Sequence, residues 1–488
     1  MTHPALQTPL LQILDCEWPI LGAGMGGVAR HRLAAAISNA GGFGCLGMVR
    51  EPAERVRAEI EAYRRLSDRP FAVNLIPAAT ERGLLETQVE ACLALSVPVM
   101  ALFWDLDAEL IRRLKDHGLR VIQQIGSAAE AEAALRAGVD VLIAQGVEAG
   151  GHVRGQVSTF ALLPEVVALS PVPVVASGGI ASGTALVAAL ALGAQGVSCG
   201  SAFLVTHESN AHAHHKKRLI ESGAADTLLT EKFFRNWPMP APVRVLRNAV
   251  TEGRHDALHA LRSTPAIGAQ DGAPVYLFST DSPLEDATGI VDDMAIYAGQ
   301  SCGQVHDLCS AGERLRRLVA EAEACLDRLD ARCAGSGATE PPAAPSRPSK
   351  AVAVPPAQEA LVATLQELLA AERAGARVAA SSLSQTRDTA QRRVLEQIRH
   401  GEADSCRRLT ACLDHLGVEA TREIGAFHDK AMAIADLDER LAFVDRGQRW
   451  VIRRIDAQLP LCDDAFVKTE LDEILKTHVT NSALMQKP

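Results

Sequence analysis

One histidine in this chain stands where acid–base chemistry is done. It closes the stretch Gln145-Gly146-Val147-Glu148-Ala149-Gly150-Gly151-His152, after an apolar run and behind two glycines, on an expected loop rather than a helix face. Imidazole titrates near neutral pH and suits proton transfer, whereas most histidines are structural or solvated; the glycines and the strand-end position favour the chemical reading of His152. Three more glycine-rich segments follow apolar runs. Gly22-Ala23-Gly24-Met25-Gly26-Gly27 is an ordinary βα turn or a backbone that lies against a flat ligand, since no Cβ holds it off. Ser177-Gly178-Gly179-Ile180-Ala181 and Ser198-Cys199-Gly200-Ser201-Ala202-Phe203 each precede a helical stretch. As a pair they match a phosphate site made of backbone N–H groups and helix N-termini.

Eight short apolar runs position these loops: Trp18–Met25, Gly42–Met48, Phe71–Leu75, Val97–Trp104, Arg120–Gly126, Val139–Gly146, Val172–Gly179 and Gly196–Phe203. None alternates, as expected of parallel strands buried on both faces. Alanine-rich helical patterns separate most of them, such as Ala128–Ala137 with Gly138 as its stop. Eight β/α repeats predict a (β/α)₈ TIM barrel, with a doubly wound sheet as the alternative. Residues 206–290 break the rhythm and predict a helical insertion over the barrel mouth that opens with a polar helix, Glu208–Glu221, and continues through the Pro-rich stretch Asn236–Val243 into more helix; a closing helix is expected within Gly303–Arg332.

Residues 335–357 are rich in Pro, Ala and Ser and read as a linker between residues 1–334 and 358–488. Beyond it, apolar residues recur at helical spacing over 358–380, 387–415, about 428–457 and 463–484, with Gly417 and Pro460 as punctuation. That pattern predicts an all-α four-helix bundle.

A chain of 488 residues exceeds one ordinary core. Its formal charge of −10 argues against a nucleic-acid partner. The 11 cysteines show neither a CxxC pair nor zinc spacing and read as reduced thiols of a cytoplasmic protein. Neither a signal peptide nor a run long enough for a membrane span is visible.

The segments above, with Ser38-Asn39-Ala40-Gly41-Gly42-Phe43-Gly44 and Phe71-Ala72-Val73-Asn74-Leu75, resemble the nitronate monooxygenase (2-nitropropane dioxygenase-like) family from Pro19 to Gln300. Fainter traces are Val243–Asn248 and Ala298-Gly299-Gln300. The resemblance implies a non-covalent FMN. Asn74 and Gln145 would meet its ring or ribityl part, Ala23, Gly24 and Met25 would lie by the ring, and Gly150, Gly151, Gly178, Gly179 and the Ser198-Cys199-Gly200-Ser201 turn would hold the phosphate end. His152 falls on the family's active-site histidine, which takes the α-proton of a nitroalkane or positions a nitronate. The partners implied are that substrate and O₂, the products a carbonyl compound and nitrite. Two segments depart from the family: Ala23-Gly24-Met25 replaces small-Pro-Met, and the fourth strand ends Leu102-Phe103-Trp104-Asp105. NAD(P)H-dependent reductases of enoyl thioesters or quinones share the barrel and a Gly-Gly-His block, so they stand as the alternative.

No metal site is expected. His212, His214 and His215 read as the solvated face of the insertion's first helix, with Lys216 in reach of an anionic substrate if that helix caps the barrel. In the C-terminal region Glu372, Glu402, Glu470, Glu473 and His478 invite a two-metal reading but fit it poorly. Residue 405 is Ser rather than His, and Glu473 and His478 are five apart, off one helical face. The stretches Ala371–Gly375 and Gly447–Val451 resemble an uncharacterised ferritin-like domain family, which implies a shape; docking or homo-oligomerisation is its expected role.

Overall fold

Continuous apolar runs too short for helices form strands in the first unit. In the computed structural model these are β1 (Ile20–Gly22), β2 (Gly44–Gly47), β3 (Phe71–Leu75), β4 (Val99–Leu102), β5 (Arg120–Ile125), β6 (Val141–Gln145), β7 (Val174–Ser177) and β8 (Gly196–Cys199), each inside one of the eight expected runs. They pair in parallel in the order β1-β8-β7-β6-β5-β4-β3-β2. The ring closes where Leu21 bridges Phe43, with Phe43 N–H donating to Ile20 O at 3.0 Å. This is the barrel, not the open sheet. The model describes residues 3–238, 241–333, 356–383, 385–386, 388–418, 420–421, 424 and 427–485. Residues 335–355 of the expected linker lie outside them.

Local chemistry sets the helices. In α1 (Ala128–Ala137) the Ser127 side chain accepts from Glu130 N at 3.3 Å, and Gly138 ends the helix at φ +89°. After the seventh and eighth strands come α2 (Gly183–Ala191) and a single turn, Ser201–Leu204. Helix α3 (Ala213–Glu221) lies within the expected polar helix, and α4 (Ala311–Cys333) is the closing helix.

The insertion differs from expectation in its second half. Beyond α3 it contains β9 (Thr227–Thr230), β10 (Val243–Leu246), β11 (Ala266–Gln270), β12 (Ala273–Tyr276), β13 (Thr288–Gly289) and one short helix, Asp256–Ala260. β9 and β10 form an antiparallel sheet whose third member is the extended pair Gly151–His152, with His152 opposite Val243. The histidine triad is not a solvated face. His215 is fully buried with Nε2 2.8 Å from Tyr297 O, His214 Nε2 meets Asp292 at 3.0 Å, and His212 caps the helix. Lys216 Nζ is spent on Ser209 O at 2.7 Å.

Inside the barrel the strands carry a layered pattern. The lower inward residues, among them Ala72, Val99, Ile122, Val141 and Val175, pack with Leu10 and Leu14 of the N-terminal helix Pro9–Leu14. Two residues further along β3, β5 and β7, and four further along β6, the inward positions become Asn74, Gln124, Ser177 and Gln145.

The chain divides into two compact units, Met1–Pro342 and Ala343–Pro488. The second contains four long helices among the described residues: α5 (Pro356–Leu383), α6 (Thr389–His415), α7 (Leu437–Gln458) and α8 (Ala465–Met485), with a short one, Phe427–Met432. Leu365, Leu368, Leu409, Val451, Leu471 and Ile474 share its core. Among the described residues no helix is long and apolar enough to cross a membrane.

Gly44 tests how tightly β2 is held by its helix. A Cβ there would stand 2.2 Å from Ala34 O. Gly44→Ala should destabilise the protein by about 1–3 kcal/mol, read as a lower denaturant midpoint at unchanged slope.

Candidate active site

The strand ends open on a cavity of ≈ 680 Å³. Asn74, Gln124, Gln145, Ser177 and Ser198 face it from five strands. Ala23, Gly24 and Met25 border it from the β1 loop, Gly150, Gly151 and His152 from the β6 loop, and Gly178, Gly179, Gly200 and Ser201 from the loops after β7 and β8. Twelve of the thirteen cofactor-side residues and His152 therefore share one cavity. The exception is Cys199. Its side chain lies 1% exposed in the core between strands and helices, because alternation along β8 turns it away from Ser198.

Backbone approach shapes the walls. A Cβ on Gly24 would sit 2.4 Å from Asn74 Cβ, so the residue that departs from small-Pro-Met lies directly against β3. Asn74 Nδ2 donates to Ala101 O at 3.0 Å. Gly150 passes so close to Gly299 N that a Cβ would stand at 2.4 Å, and Gly299 N–H donates to Ser201 Oγ at 3.0 Å. The faint trace Ala298–Gln300 thus ties the β6 loop to the turn after β8.

Gln145 positions His152. Its Nε2 donates to His152 O at 2.9 Å and its Oε1 accepts from Arg154 N–H at 3.1 Å. Arg244 of β10 clamps the same loop, donating to Val147 O at 3.1 and 2.8 Å. The His152 ring stacks on Trp237 with centroids 3.6 Å apart at 18°. Trp104 meets it edge-on at 5.9 Å, and Tyr297 lies tilted at 6.1 Å. His152 Nε2 is sealed from solvent without a hydrogen-bond partner. Burial pushes the imidazole down to about 3, and the Arg50 guanidinium beside it adds to the fall.

The sequence reading passed over Arg50, Gln124, Trp237 and Tyr297 as site residues. Arg50 lines the cavity at φ +59° and pairs with Asp281 at 2.9 Å. Trp104, noted for departing from the family, sits at φ +78° beneath the Arg154 guanidinium, 5.1 Å from its ring centre. The non-glycine positive φ values are the only local mark of these two, and sequence does not show φ.

In the second unit, Glu372, Glu402 and His478 from α5, α6 and α8 converge, each buried. Burial pushes Glu372 up to about 7. Glu470 and Glu473 stay outside, paired with Arg408 at 2.7 Å and Lys476 at 2.7 Å.

A closed parallel barrel with a polar-lipped cavity at the C-terminal ends of its strands is the architecture of a (β/α)₈ enzyme. The family model described as nitronate monooxygenase matches residues 7–83 and 78–321, and a domain of unknown function (DUF6306) matches residues 358–487. The chain belongs to the nitronate monooxygenase family and is an oxidoreductase. It is 32% identical over 350 residues to a (3aS,4S,5R,7aS)-5-hydroxy-7a-methyl-1-oxo-octahydro-1H-indene-4-carboxyl-CoA dehydrogenase of Mycobacterium tuberculosis, covering 65% of this chain and 96% of that one. A "Probable nitronate monooxygenase" of Staphylococcus aureus is 32% identical over 267 residues, 46% of this chain and 75% of that one. Among solved structures, FabK from Thermotoga maritima superposes with a TM-score of 0.57 at 29% identity, covering 67% of this chain and 99% of that one. A nitroalkane oxidase from Streptomyces ansochromogenes gives 0.53 at 28%, covering 66% and 99%.

Two outcomes test this site. Gln145→Leu leaves His152 O and Arg154 N–H unpaired, so it should lower stability by about 1–3 kcal/mol, and kcat/KM should fall because the histidine loop loses its tether. Thermal melts with steady-state kinetics check both. His152 is neutral unless the pH nears 3, so its protonation contributes no limb to the rate between about pH 5 and 8. The pH profiles of wild type and His152→Gln should have the same shape in that window, and a limb near 6.5 lost with the histidine would contradict the assignment.

Proposed function

We propose that the barrel binds FMN and oxidises alkyl nitronates with O₂ to a carbonyl compound and nitrite. The observation that carries the reading is the buried, unpartnered Nε2 of His152, held in an aromatic wall at the cavity of a family oxidoreductase.

The cavity suits a flavin nucleotide. Its volume falls within the ~300–1,000 Å³ of small-molecule sites. An added Cβ would meet nothing closer than 3.9 Å at Gly179 and 3.8 Å at Gly200. Protein packing leaves that space open, as a phosphate cradle at the β7 and β8 ends needs. The bound flavin would supply the two-electron acceptor. Asn74, Gln124 and Ser198 offer hydrogen-bonding groups for its polar parts. Gly178, Gly179, Gly200 and Ser201 would hold its phosphate, with Gly150 and Gly151 nearby and Ala23, Gly24 and Met25 against the ring.

On the substrate side, a neutral His152 presents its ring nitrogen to a nitronate oxygen. The Arg50 cation draws the anion in. The indoles of Trp104 and Trp237 keep water from the reacting carbon. Gln145 acts through the loop and holds His152 in place. An imidazole so hard to protonate favours an anion already formed over proton abstraction from a neutral nitroalkane.

A second reading, reduction of an enoyl thioester or quinone with NAD(P)H, draws on the CoA-ester dehydrogenase relative that this chain covers almost end to end. One experiment separates them. Purified full-length protein should show flavin absorbance that an alkyl nitronate bleaches promptly without oxygen, and His152→Ala should keep the flavin while bleaching about 10²-fold more slowly. Bleaching by NADPH or NADH with nitronate inert would overturn the nitronate reading for the reductase.

A further inference from the structure

The second unit places three ionisable side chains where water does not reach. Glu372 and His478 are 0% exposed and Glu402 3%, and one ligand atom from each lies within 4.8 Å of the others. Burying two carboxyl groups side by side is costly unless opposite charge joins them. A protonated imidazole would offset one of the two carboxylates and leave the other. His478 Nδ1 lies 2.6 Å from Gln448 Oε1, an atom that only accepts, so the ring proton sits on Nδ1. The other end of the same amide donates from Nε2 to Glu402 Oε1 at 2.5 Å, which fixes the amide's orientation. His478 Nε2 therefore turns toward the Glu372 oxygens, 3.0 and 3.1 Å away. A lone pair facing a carboxyl group calls for a proton or a cation between them, and a cation can serve both buried carboxyl groups at once. An outer amide that fixes the tautomer of an inner histidine is how proteins orient metal-bound imidazole.

Two further features lie beside the cluster. Asn481, three residues beyond His478 on α8, is fully buried with neither amide atom partnered, and it lies against Gly401, the residue before Glu402. Gly375, in the middle of α5, leaves room for the Glu402 carboxyl group, which a Cβ there would meet at 2.7 Å. Helix propensity disfavours glycine at both positions.

We propose that Glu372, Glu402 and His478 form a one-ion site for a divalent first-row transition cation. Two carboxylates balance its charge, and the imidazole nitrogen selects against calcium and magnesium, which take oxygen cages. Among the described residues a second ion lacks ligands. Two-ion bundles repeat Glu-x-x-His on two helices, whereas here Ser405 follows Glu402 by three and Leu475 precedes His478 by three. Gln448, neutral, occupies the remaining facing helix. The poor fit to a two-metal pattern is thus a fit to half of it.

The test uses the full chain, purified without a histidine tag, stripped with a chelator and dialysed against Co(II). Wild type should take up one Co(II) per chain, with visible d–d bands and a raised melting temperature of the helical unit. His214→Ala, in the barrel unit, should bind equally. His478→Gln and Glu402→Gln, each checked for helical content by circular dichroism, should bind at least tenfold more weakly. Wild type that stays folded and takes up no Co(II), or uptake unchanged in whichever of the two variants folds, would overturn the site.

Discussion

The barrel site hangs on one side-chain amide. Gln145 sits at the last inward position of β6, where the apolar interior gives way to polar groups, and both ends of its amide are spent on the loop that carries His152. A loop of this glycine content would otherwise pay a large entropy cost to hold a histidine in one place. The amide fixes it from the barrel side. From the other side, β10 of the insertion pairs with Gly151–His152 and sends Arg244 to Val147 O. The catalytic candidate is thus clamped between a rigid strand and a segment added to the barrel, and its geometry depends on both.

What was legible in the sequence was local. Parallel strands buried on both faces announce themselves as short apolar runs, and all eight were found in place. The glycine loops were legible because backbone against ligand, or backbone against backbone, admits no Cβ. The aromatic wall was not legible. Trp104, Trp237 and Tyr297 come from three distant segments, and only the closed ring brings them to His152. The small strands of the insertion were hidden as well: Ala266–Gln270 contains no fully buried residue, so it has no hydrophobic pattern to read. Reading the Ser198–Ser201 motif as a block did not show that alternation along β8 turns the Cys199 side chain into the core while Ser198 faces the cavity.

The helical unit failed to declare itself for a different reason. Spacing within one helix says which residues share a face, and by that measure Glu473 and His478 do not. It says nothing about the rotation of one helix against the next. Glu372, Glu402 and His478 occupy three helices, and their convergence follows from packing around Leu365, Leu409 and Leu471.

The two units bury histidines to opposite ends. His152 is kept neutral by burial among aromatic rings and by a neighbouring cation, its Nε2 unpartnered in the wall of a cavity large enough for ligands. His478 is set against carboxylates, its outer nitrogen already engaged. The first environment suits a ring that donates or accepts one hydrogen bond to a passing anion. The second suits a ring that gives its lone pair to something held. In the barrel, the inward polar ring comes from the strands, while the groups around His152 come from β4's end, from the insertion and from Tyr297 just beyond it. The aromatic wall of Trp104, Trp237 and Tyr297 can therefore vary without disturbing the polar ring on the strands.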